Sequence, residues 1–375
     1  MTNDEQFMFR ALTLARQGVG FVSPNPMVGC VVVKNNKIIA EGYHKKFGGP
    51  HAEVVALQRI QDTGYRLQGT TVYVNLEPCA HFGKTPPCVD ALIAARVKRV
   101  VIGMKDPNPL VSGKGIKKLR AAGIEVTVGV LQKECEELNK VFVQWITTKK
   151  PFVLLKCAVT LDGALTLKKG ERSFLSSPES FLRVHELRQE YDAIVLGVES
   201  VIVDNPRLTT RKPGKSRNPV RVIFDTQLRI PETAKLFSEV GQTIIFVGDK
   251  VNEKKKQRFL NTFTQVEIIS VNVEDGHISL PAVLKELSAR NIASILVEGG
   301  AVVAQSFLSH GLVDLLMIAY TPHVSFDPEA PRIFSSDAFL KLRFREPQWE
   351  MYGPDAWFIA SIPRRSVGVP TRTSG

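Results

Sequence analysis

Four residues in two short stretches have the types and spacing that a hydrolytic metal site requires. His51 and Glu53 stand two positions apart in the stretch PHAE, and Cys79 and Cys88 lie in the stretch LEPCAHFGKTPPC. Catalytic zinc usually takes three protein ligands and leaves its fourth position to water, whereas structural zinc is closed by four Cys or His ligands. One imidazole and two thiolates leave that position open. We therefore predict a Zn²⁺ site formed by His51, Cys79 and Cys88, with Glu53 as the catalytic carboxylate.

The chemistry expected of such a site is attack by hydroxide. Bound zinc lowers the pKa of its water towards neutrality, and a carboxylate that is not a ligand can carry the proton. His-x-Glu followed by Pro-Cys and a second Cys is typical of zinc deaminases that attack an amino-bearing ring carbon of a base. Each part alone is weak evidence, because a lone buried Cys is more often a small apolar residue than a ligand. The second Cys also follows the first at a longer interval than the usual Cys-x-x-Cys.

The elements around these residues are predicted to bring them to one place. Residues 70–76 form an apolar, β-branched strand that delivers Cys79 at its carboxyl end, and Cys88 opens the next helix. A proline begins the helix whose first turn holds His51 and Glu53. Positions two apart diverge by about 200° on a helix, so both reach one metal only if it lies near the helix N-terminus. Ligands of such sheets lie beyond the carboxyl ends of the strands.

Longer stretches around these residues resemble the bifunctional deaminase-reductase family of riboflavin biosynthesis. They are SPNPMVGCVVV, GYHKKFGGPHAEVVAL, LEPCAHFGKTPPC and VIGMKDPNPLVSGKGIKKLRAAGIEV. In that family PCxHxGKTPPC replaces the shorter cysteine spacing. The resemblance implies pyrimidine and phosphate contacts at Asn25, His44, His81 and Lys84. Without it, the two histidines would be taken as exposed loop residues and the lysine as a solvated one, whereas the Asn25 amide can read a donor and an acceptor on a base.

The residues of the second half of the chain indicate its function less clearly than those of the first half. In LVEGG two glycines separate a strand from a helix, and the exposed backbone N–H groups there can hold a phosphate, although no G-x-G-x-x-G fingerprint is present. KCAVTLDGALTL, GVESVIVDNPRLTTR and LVEGG resemble the reductase half of the same family, whose fold is similar to dihydrofolate reductase. The resemblance implies NADPH contacts at Ala158, Phe174, Ser200, Asp204, Thr226 and the loop Gly300, Ala301, Val302, Val303, Ala304, Gln305 and Ser306.

The same resemblance implies contacts to a ribosylaminopyrimidine phosphate at Arg172, Arg188, Leu208, Arg211 and Glu298. Arg188 and Arg211 offer planar forks that suit a phosphate. Asp204 could organise a sugar hydroxyl or a proton at the reacting carbon. Arg172 departs from the serine that many relatives carry.

The pattern of elements predicts an α/β protein of two domains. Residues 1–147 are expected to form a cytidine-deaminase-like three-layer domain, and residues 152–363 a dihydrofolate-reductase-like domain whose core ends with a strand at 312–320. The polar run TTKKP separates the two. Residues 364–375 lack apolar periodicity and are predicted to form a loose tail.

Composition limits the cell compartment and the partners. The chain has 375 residues and a formal net charge of +12, and its five cysteines fit a reducing compartment better than a disulfide framework. It shows neither a signal peptide nor an apolar run long enough to span a bilayer, so we expect a cytoplasmic protein without membrane contact. The resemblance implies a homo-oligomer.

Charge and motifs alone leave three functions open: a nucleic-acid deaminase, an enzyme that acts on a phosphorylated small molecule, and a non-enzymatic zinc scaffold. The first 150 residues carry 21 Lys and Arg against 12 Asp and Glu, an excess that could attract RNA or a phosphorylated small molecule. The aromatic-interleaved basic patterns of single-strand binders are not evident, which favours the small molecule and no nucleic acid. A non-enzymatic zinc scaffold would need a fourth ligand, and no convincing one stands beside the three.

Overall fold

The chain forms two compact units. The computed structural model describes residues 1–61, 66–82, 86–109, 111–214, 216–334 and 342–363. By internal contacts the chain divides into Met1–Lys150, called the N-terminal unit, and Pro151–Gly375, called the C-terminal unit. Within the described ranges, no helix is both long and apolar enough to cross a bilayer. The tail predicted at 364–375 lies outside the described residues.

The N-terminal unit is built on a mixed β-sheet. In its described residues five strands form this sheet: β1 Gly29–Lys34, β2 Lys37–Tyr43, β3 Thr71–Leu76, β4 Arg99–Met104 and β5 Glu125–Val128. Their order is β2-β1-β3-β4-β5, in which β1 is antiparallel to both neighbours and β3, β4 and β5 run parallel. Parallel strands end at the same edge of a sheet, so the residues that follow β3 and β4 come close together.

Helices cover both faces of this sheet. The described helices are α1 Asn3–Ala15, α2 Ala52–Gln61, α3 Cys88–Ala94, α4 Lys114–Ala121, α5 Gln132–Leu138 and α6 Lys140–Thr148. Ala56, Leu92 and Leu119, from α2, α3 and α4, pack into the core on one face. Met8 of α1 and Cys135 of α5 pack on the opposite face. The predicted three-layer arrangement is confirmed.

Strands β1 and β2 form a hairpin. Its turn residues Asn35 and Asn36 both adopt left-handed backbone angles, with φ of 48° and 59°. Two-residue hairpin turns need this conformation to match the twist of the strands, and Asn tolerates it better than most residues. The hairpin places β1 next to β3, which leads to the Cys79 loop.

The C-terminal unit contains a larger sheet. Its described strands are β6 Phe152–Val159, β7 Ala193–Gly197, β8 Val220–Phe224, β9 Thr243–Gly248, β10 Val266–Val271, β11 Val273–Glu274, β12 His277–Ile278, β13 Ser294–Val297, β14 Leu315–Tyr320, β15 Arg345–Tyr352 and β16 Asp355–Ser361. The order in the main sheet is β10-β9-β8-β7-β13-β6-β14-β16-β15. Strands β10 to β14 of that order run parallel, and β16 and β15 add an antiparallel edge.

Helices pack on both faces of this second sheet. The described ones are α7 Pro178–Glu190, α8 Val198–Asp204, α9 Glu253–Thr262, α10 Leu280–Ala289 and α11 Ala301–Ser309. One core joins α10 and α11 to the sheet through Val283 and Phe307, and the other joins α8 and α9 through Val201 and Phe259. Because α8 and α11 follow the neighbouring strands β7 and β13, both helices begin at the carboxyl edge of the sheet.

Helices α5, α6 and α8 and strands β11, β12, β15 and β16 were not predicted. Helices α5 and α6 fill residues 132–148, and strands β15 and β16 follow the strand that was expected to end the core. That expectation is wrong, because β16 pairs with β14 along its length and buries Trp357 completely. β15 has an exposed side chain at seven of its eight positions, so its sequence carries no apolar alternation.

Candidate functional site

The three predicted zinc ligands lie together at the carboxyl edge of the first sheet. His51 directly precedes α2, Cys79 follows β3, and Cys88 is the first residue of α3. His51 Nδ1 lies 3.2 Å from Cys88 Sγ and 3.6 Å from Cys79 Sγ. Tetrahedral zinc, with bonds of about 2.0 Å to nitrogen and 2.3 Å to sulfur, holds such atoms about 3.6 Å apart. The donor set therefore fits zinc.

Among the described residues, this cluster offers three metal-binding groups and no fourth. The expected geometry is also met, since His51 lies at the start of α2 and accepts a hydrogen bond through its carbonyl from the Val55 N–H. Glu53 follows in the first turn of α2 and is 97% buried, with 3% of its surface exposed. Burial raises the pKa of Glu53 to about 7, and the Cys79 thiolate acts in the same direction.

The two neighbouring thiols differ in acidity, and the first proton is lost from Cys79. Hydrogen bonds from the Cys88 thiol and from His51 lower the pKa of Cys79 to about 4, against the effect of burial. The Cys88 backbone N–H also donates to Cys79 Sγ, at 3.3 Å. The same thiol contact and burial raise the pKa of Cys88, because a second thiolate beside the first is unfavourable. A cation between them removes that penalty, so metal binding and deprotonation are coupled.

A cavity of about 350 Å³ opens onto this cluster. Its polar lining includes Asn25, His44 and His81. His44 Nδ1 lies 3.0 Å from the Pro50 carbonyl and Nε2 lies 3.2 Å from Asn25 Nδ2. Donation from Nδ1 to the carbonyl leaves Nε2 to accept from the amide, which turns the Asn25 oxygen in a fixed direction.

The four predicted substrate contacts thus differ in their surroundings. His44 is 2% exposed rather than an exposed loop residue, and burial lowers its pKa. His81 is exposed at the cavity, and Lys84 lies outside the described residues. Asp106 and Asn108, which follow β4, also line the cavity and were not predicted, although the run KDPNP after a strand is a usable signal. Burial raises the pKa of Asp106 to about 6.

In the C-terminal unit, Arg188 and Glu298 form a buried ion pair. Arg188 Nε and one terminal nitrogen donate to the two Glu298 oxygens at 2.9 and 2.6 Å, and the other terminal nitrogen donates to the Thr209 carbonyl. Their side chains are 10% and 9% exposed. Burial alone would raise the pKa of Glu298, but the guanidinium outweighs it and the pKa is lowered. The Arg188 fork that was expected for a phosphate is thus already occupied by a carboxylate.

Arg211 is exposed at the surface beside this pair. Its backbone N–H donates to His185 Nδ1 at 3.1 Å, its guanidinium Nε lies 3.3 Å from His185 Nε2, and the guanidinium lies over the Phe181 ring. Burial lowers the pKa of His185 to about 4, with Arg188 and Arg211 acting in the same direction, so the ring is a neutral acceptor. Lys156, which was not predicted, is buried close to Glu298, and burial lowers its pKa. Leu208 is buried.

Half of the predicted NADPH contacts lie at the carboxyl ends of neighbouring strands. Ala158 is near the end of β6, Ser200 is in the first turn of α8, and Thr226 follows β8. A Cβ on Gly300 would lie 3.2 Å from Ser200 Oγ, so the start of α11 closely approaches α8. Backbone N–H groups at helix N-termini suit a diphosphate. Ala301 and Val302 belong to this first turn of α11.

The remaining predicted residues are placed less favourably or in other surroundings. Val303 and Ala304 pack into the core, and Gln305 donates to the Arg332 carbonyl; Ser306 lies beyond the first turn of α11. Phe174 is 77% exposed, and the Arg172 guanidinium lies 4.3 Å from its ring centroid. Asp204 ends α8; burial raises its pKa and Arg172 opposes that effect.

Comparison with known proteins identifies the class of each unit. Residues 1–104 match the family model of the cytidine and deoxycytidylate deaminase zinc-binding region, and residues 151–358 match that of the RibD C-terminal domain. A zinc deaminase domain is therefore joined to a reductase domain in one chain.

The relatives extend this match over nearly the whole chain. The riboflavin biosynthesis protein RibD of Aquifex aeolicus is 43% identical over 86% of this chain and 87% of its own, and that of Escherichia coli is 38% identical over 89% of each. A RibD structure from Acinetobacter baumannii superposes with a TM-score of 0.85 at 34% identity, covering 96% of this chain and 99% of that one. The chain belongs to the RibD family.

A further similar structure is that of an enzyme with two named activities. It is a diaminohydroxyphosphoribosylaminopyrimidine deaminase/5-amino-6-(5-phosphoribosylamino)uracil reductase from Thermotoga maritima, with a TM-score of 0.85, 38% identity, and 96% and 99% coverage. The present chain is a bifunctional enzyme of riboflavin biosynthesis that acts on a pyrimidine, with a hydrolytic deaminase and an oxidoreductase domain. Zinc serves the first domain and NADPH the second.

Proposed function

We propose that the N-terminal unit deaminates 2,5-diamino-6-ribosylamino-4(3H)-pyrimidinone 5′-phosphate and that the C-terminal unit reduces the ribosyl group of the product to ribityl with NADPH. The observation that carries the deaminase assignment is the three-donor cluster with an open vertex beside buried Glu53. The activities described for the Thermotoga maritima relative support the choice of substrate.

In the deaminase reaction Glu53 is the residue that moves protons. Zinc held by His51, Cys79 and Cys88 supplies hydroxide at neutral pH when it is bound. Glu53, buried beside the metal ligands, can accept a proton from attacking water and return it to the departing amino group. Because the carboxylate stands in the first turn of α2, directly after His51, proton carrier and metal ligand share one rigid element.

Recognition of the pyrimidine is assigned to Asn25, held by His44. The hydrogen bond between them fixes the amide, so one donor and one acceptor face the cavity without reorganisation. His81, exposed at the cavity rim, and Lys84 are proposed to meet the phosphate. The basic excess of the N-terminal unit would draw an anionic substrate towards this cavity.

In the reductase reaction Arg211 is proposed to hold the phosphate, and Glu298 a ribose hydroxyl. Arg188 supports Glu298 through two charge-assisted hydrogen bonds, which keep that carboxylate ionised and oriented. The starts of α8 and α11, with Ser200 and Gly300, would receive the cofactor diphosphate. Hydride chemistry belongs to NADPH, and these residues supply position.

The assignment is tested with purified protein and the diaminopyrimidine phosphate, with and without NADPH. Ammonia release and the loss of NADPH absorbance are followed separately. Ammonia without NADPH, and absorbance loss only after ammonia appears, are expected. NADPH oxidation that precedes any ammonia would contradict the proposed order. Steeply salt-dependent RNA binding, without either signal, would instead support a nucleic-acid deaminase.

We further propose a cytoplasmic homo-oligomer. The two cysteine ligands must stay reduced, which fits a reducing compartment. Strand β15 forms an edge of the large sheet, and its Trp349 and Met351 are 62% and 65% exposed, a surface that a second copy can cover. Sedimentation of the purified protein tests this part.

A further inference from the structure

Glu77 is a buried carboxylate with an unusual number of backbone partners. It follows β3, two positions before Cys79, and is 3% exposed. One of its oxygens accepts from the N–H groups of Gly113 and Asp106 at 2.9 and 3.2 Å. The other accepts from those of Gly115 and Ile116 at 3.0 and 3.2 Å. A single side chain therefore satisfies four backbone donors.

These contacts make Glu77 the cap of helix α4. The N-cap residue of α4 is Gly113, with φ of 77°, and its lack of a side chain leaves the first amides without a local acceptor. Gly115 and Ile116 lie in the first turn of α4, and both donate to Glu77. A carboxylate at a helix N-terminus is stabilised by hydrogen bonds and by the helix dipole.

Close packing reinforces the same connection. A Cβ on Gly115 would lie 2.2 Å from the Pro78 carbonyl oxygen, so α4 begins in direct contact with the residue between Glu77 and Cys79. Glu77 also holds the N–H of Asp106, which follows β4. Asp106 in turn accepts from the Asn108 N–H, and both line the cavity. The Cys79 loop, the cavity wall and α4 thus meet at one carboxylate.

We propose that Glu77 is a positioning residue that fixes Cys79 for zinc and holds the Asp106–Asn108 wall of the cavity. The inference rests on the proposed ligand role of Cys79. Removal of the carboxylate leaves buried N–H groups without acceptors, and the Cys79 loop must move to rehydrate them. Residues that orient metal ligands typically change metal affinity or activity 10- to 100-fold when they are replaced.

The test compares Glu77→Gln with wild-type full-length protein. Gln has nearly the same shape, but its amino group faces two N–H donors. Zinc affinity is measured by competition with a chelator, and the Co²⁺-substituted protein is examined for its thiolate charge-transfer and d–d bands. We expect a 10- to 100-fold loss of zinc affinity and altered Co²⁺ bands, with reduction of separately prepared deaminated substrate unchanged.

Asp4→Asn is the matched control. Asp4 bonds Arg99 and the Tyr73 hydroxyl, on the same two strands, β3 and β4, but away from the Cys79 loop. This variant should lower the thermal stability of the N-terminal unit and leave zinc affinity and Co²⁺ bands as in wild type. Equal zinc affinity in Glu77→Gln and wild type would overturn the proposal. A loss of zinc affinity in Asp4→Asn in proportion to its loss of stability would also overturn it, because zinc affinity would then report only the stability of the unit.

A second variant covers the case in which Glu77→Gln does not fold. Gly115→Ala keeps the carboxylate and pushes α4 away from Pro78, so it too should weaken zinc binding; wild-type affinity in this variant would refute the positioning role. A wrong assignment of Cys79 as a zinc ligand would give a different result. Wild-type protein would then bind no stoichiometric zinc, and Co²⁺ would give no thiolate band.

Discussion

Replacement of Glu53 by Gln separates proton transfer from metal binding. Glu53 is not one of the three clustered metal-binding groups, so the variant should retain stoichiometric zinc. A positioned general acid or base typically contributes about 10²- to 10⁴-fold to a rate, which corresponds to about 3–5 kcal/mol of barrier. We expect deamination to fall by this factor. Reduction of separately supplied deaminated product should be unchanged.

The same substitution has a predictable effect on the stability of the metal-free protein. Burial raises the pKa of Glu53 from 4.5 to about 7, so folding disfavours its charged form. That cost is absent at pH 4, grows as the pH rises through 7, and amounts to about 3 kcal/mol above it. Gln carries no charge at any pH. The metal-free variant should therefore be more stable than the metal-free wild type at pH 8 but not at pH 4.

The assay combines three measurements on both proteins. Zinc content is determined by atomic absorption, ammonia by a coupled assay, and stability by urea denaturation of chelator-treated protein at the two pH values. Deamination within tenfold of wild type would refute the proton-transfer role. Loss of zinc would instead mean that Glu53 maintains the metal site, and an equal stability difference at both pH values would refute the argument from burial.

Three further outcomes are expected. Arg188→Met should destabilise the C-terminal unit by about 3–5 kcal/mol, because it removes the guanidinium that is hydrogen-bonded to the buried Glu298; Arg188→Met with Glu298→Gln should recover most of that loss in denaturant titrations. Because burial lowers the pKa of His185 from 6.5 to about 4, folding excludes its proton, and stability should fall as the pH drops through this interval; His185→Gln should reduce that slope in urea titrations. Treatment with a chelator should abolish deamination reversibly and leave NADPH oxidation on deaminated product intact, as two separate spectrophotometric assays would show; parallel loss of both activities would contradict independent sites.

Much of the fold is readable from the sequence because the elements carry strong local signals. The turn at Asn35 and Asn36, for example, has the chemistry that a tight hairpin needs. Two of the elements that were missed, α5 and β15, lack such a signal. α5 buries a single residue, Cys135, and β15 is exposed almost throughout, so neither shows an apolar period. Cys135 of α5 packs against residues that are distant in sequence, and β15 pairs with the neighbouring strand β16.

The deaminase cluster was predictable for a related reason. His51, Cys79 and Cys88 are placed by the ends of three short elements that are themselves well predicted. The role of Glu77 was not predictable, because its partners are the backbone N–H groups of Asp106, Gly113, Gly115 and Ile116, and no side-chain pattern in the sequence indicates such contacts.

In the reductase site, the type of a residue does not by itself predict which group it binds. A guanidinium in a candidate substrate site suggests a phosphate, yet Arg188 meets Glu298 across 110 positions of sequence and is occupied by it. Arg211 is exposed beside neutral His185, and its guanidinium Nε lies 3.3 Å from His185 Nε2. Two arginines with the same chemistry therefore have different surroundings, because the buried one pairs within the protein, whereas the exposed one can bind an anionic ligand. Burial, which the sequence does not state, is the reason why we assign the phosphate to Arg211 and the support of Glu298 to Arg188.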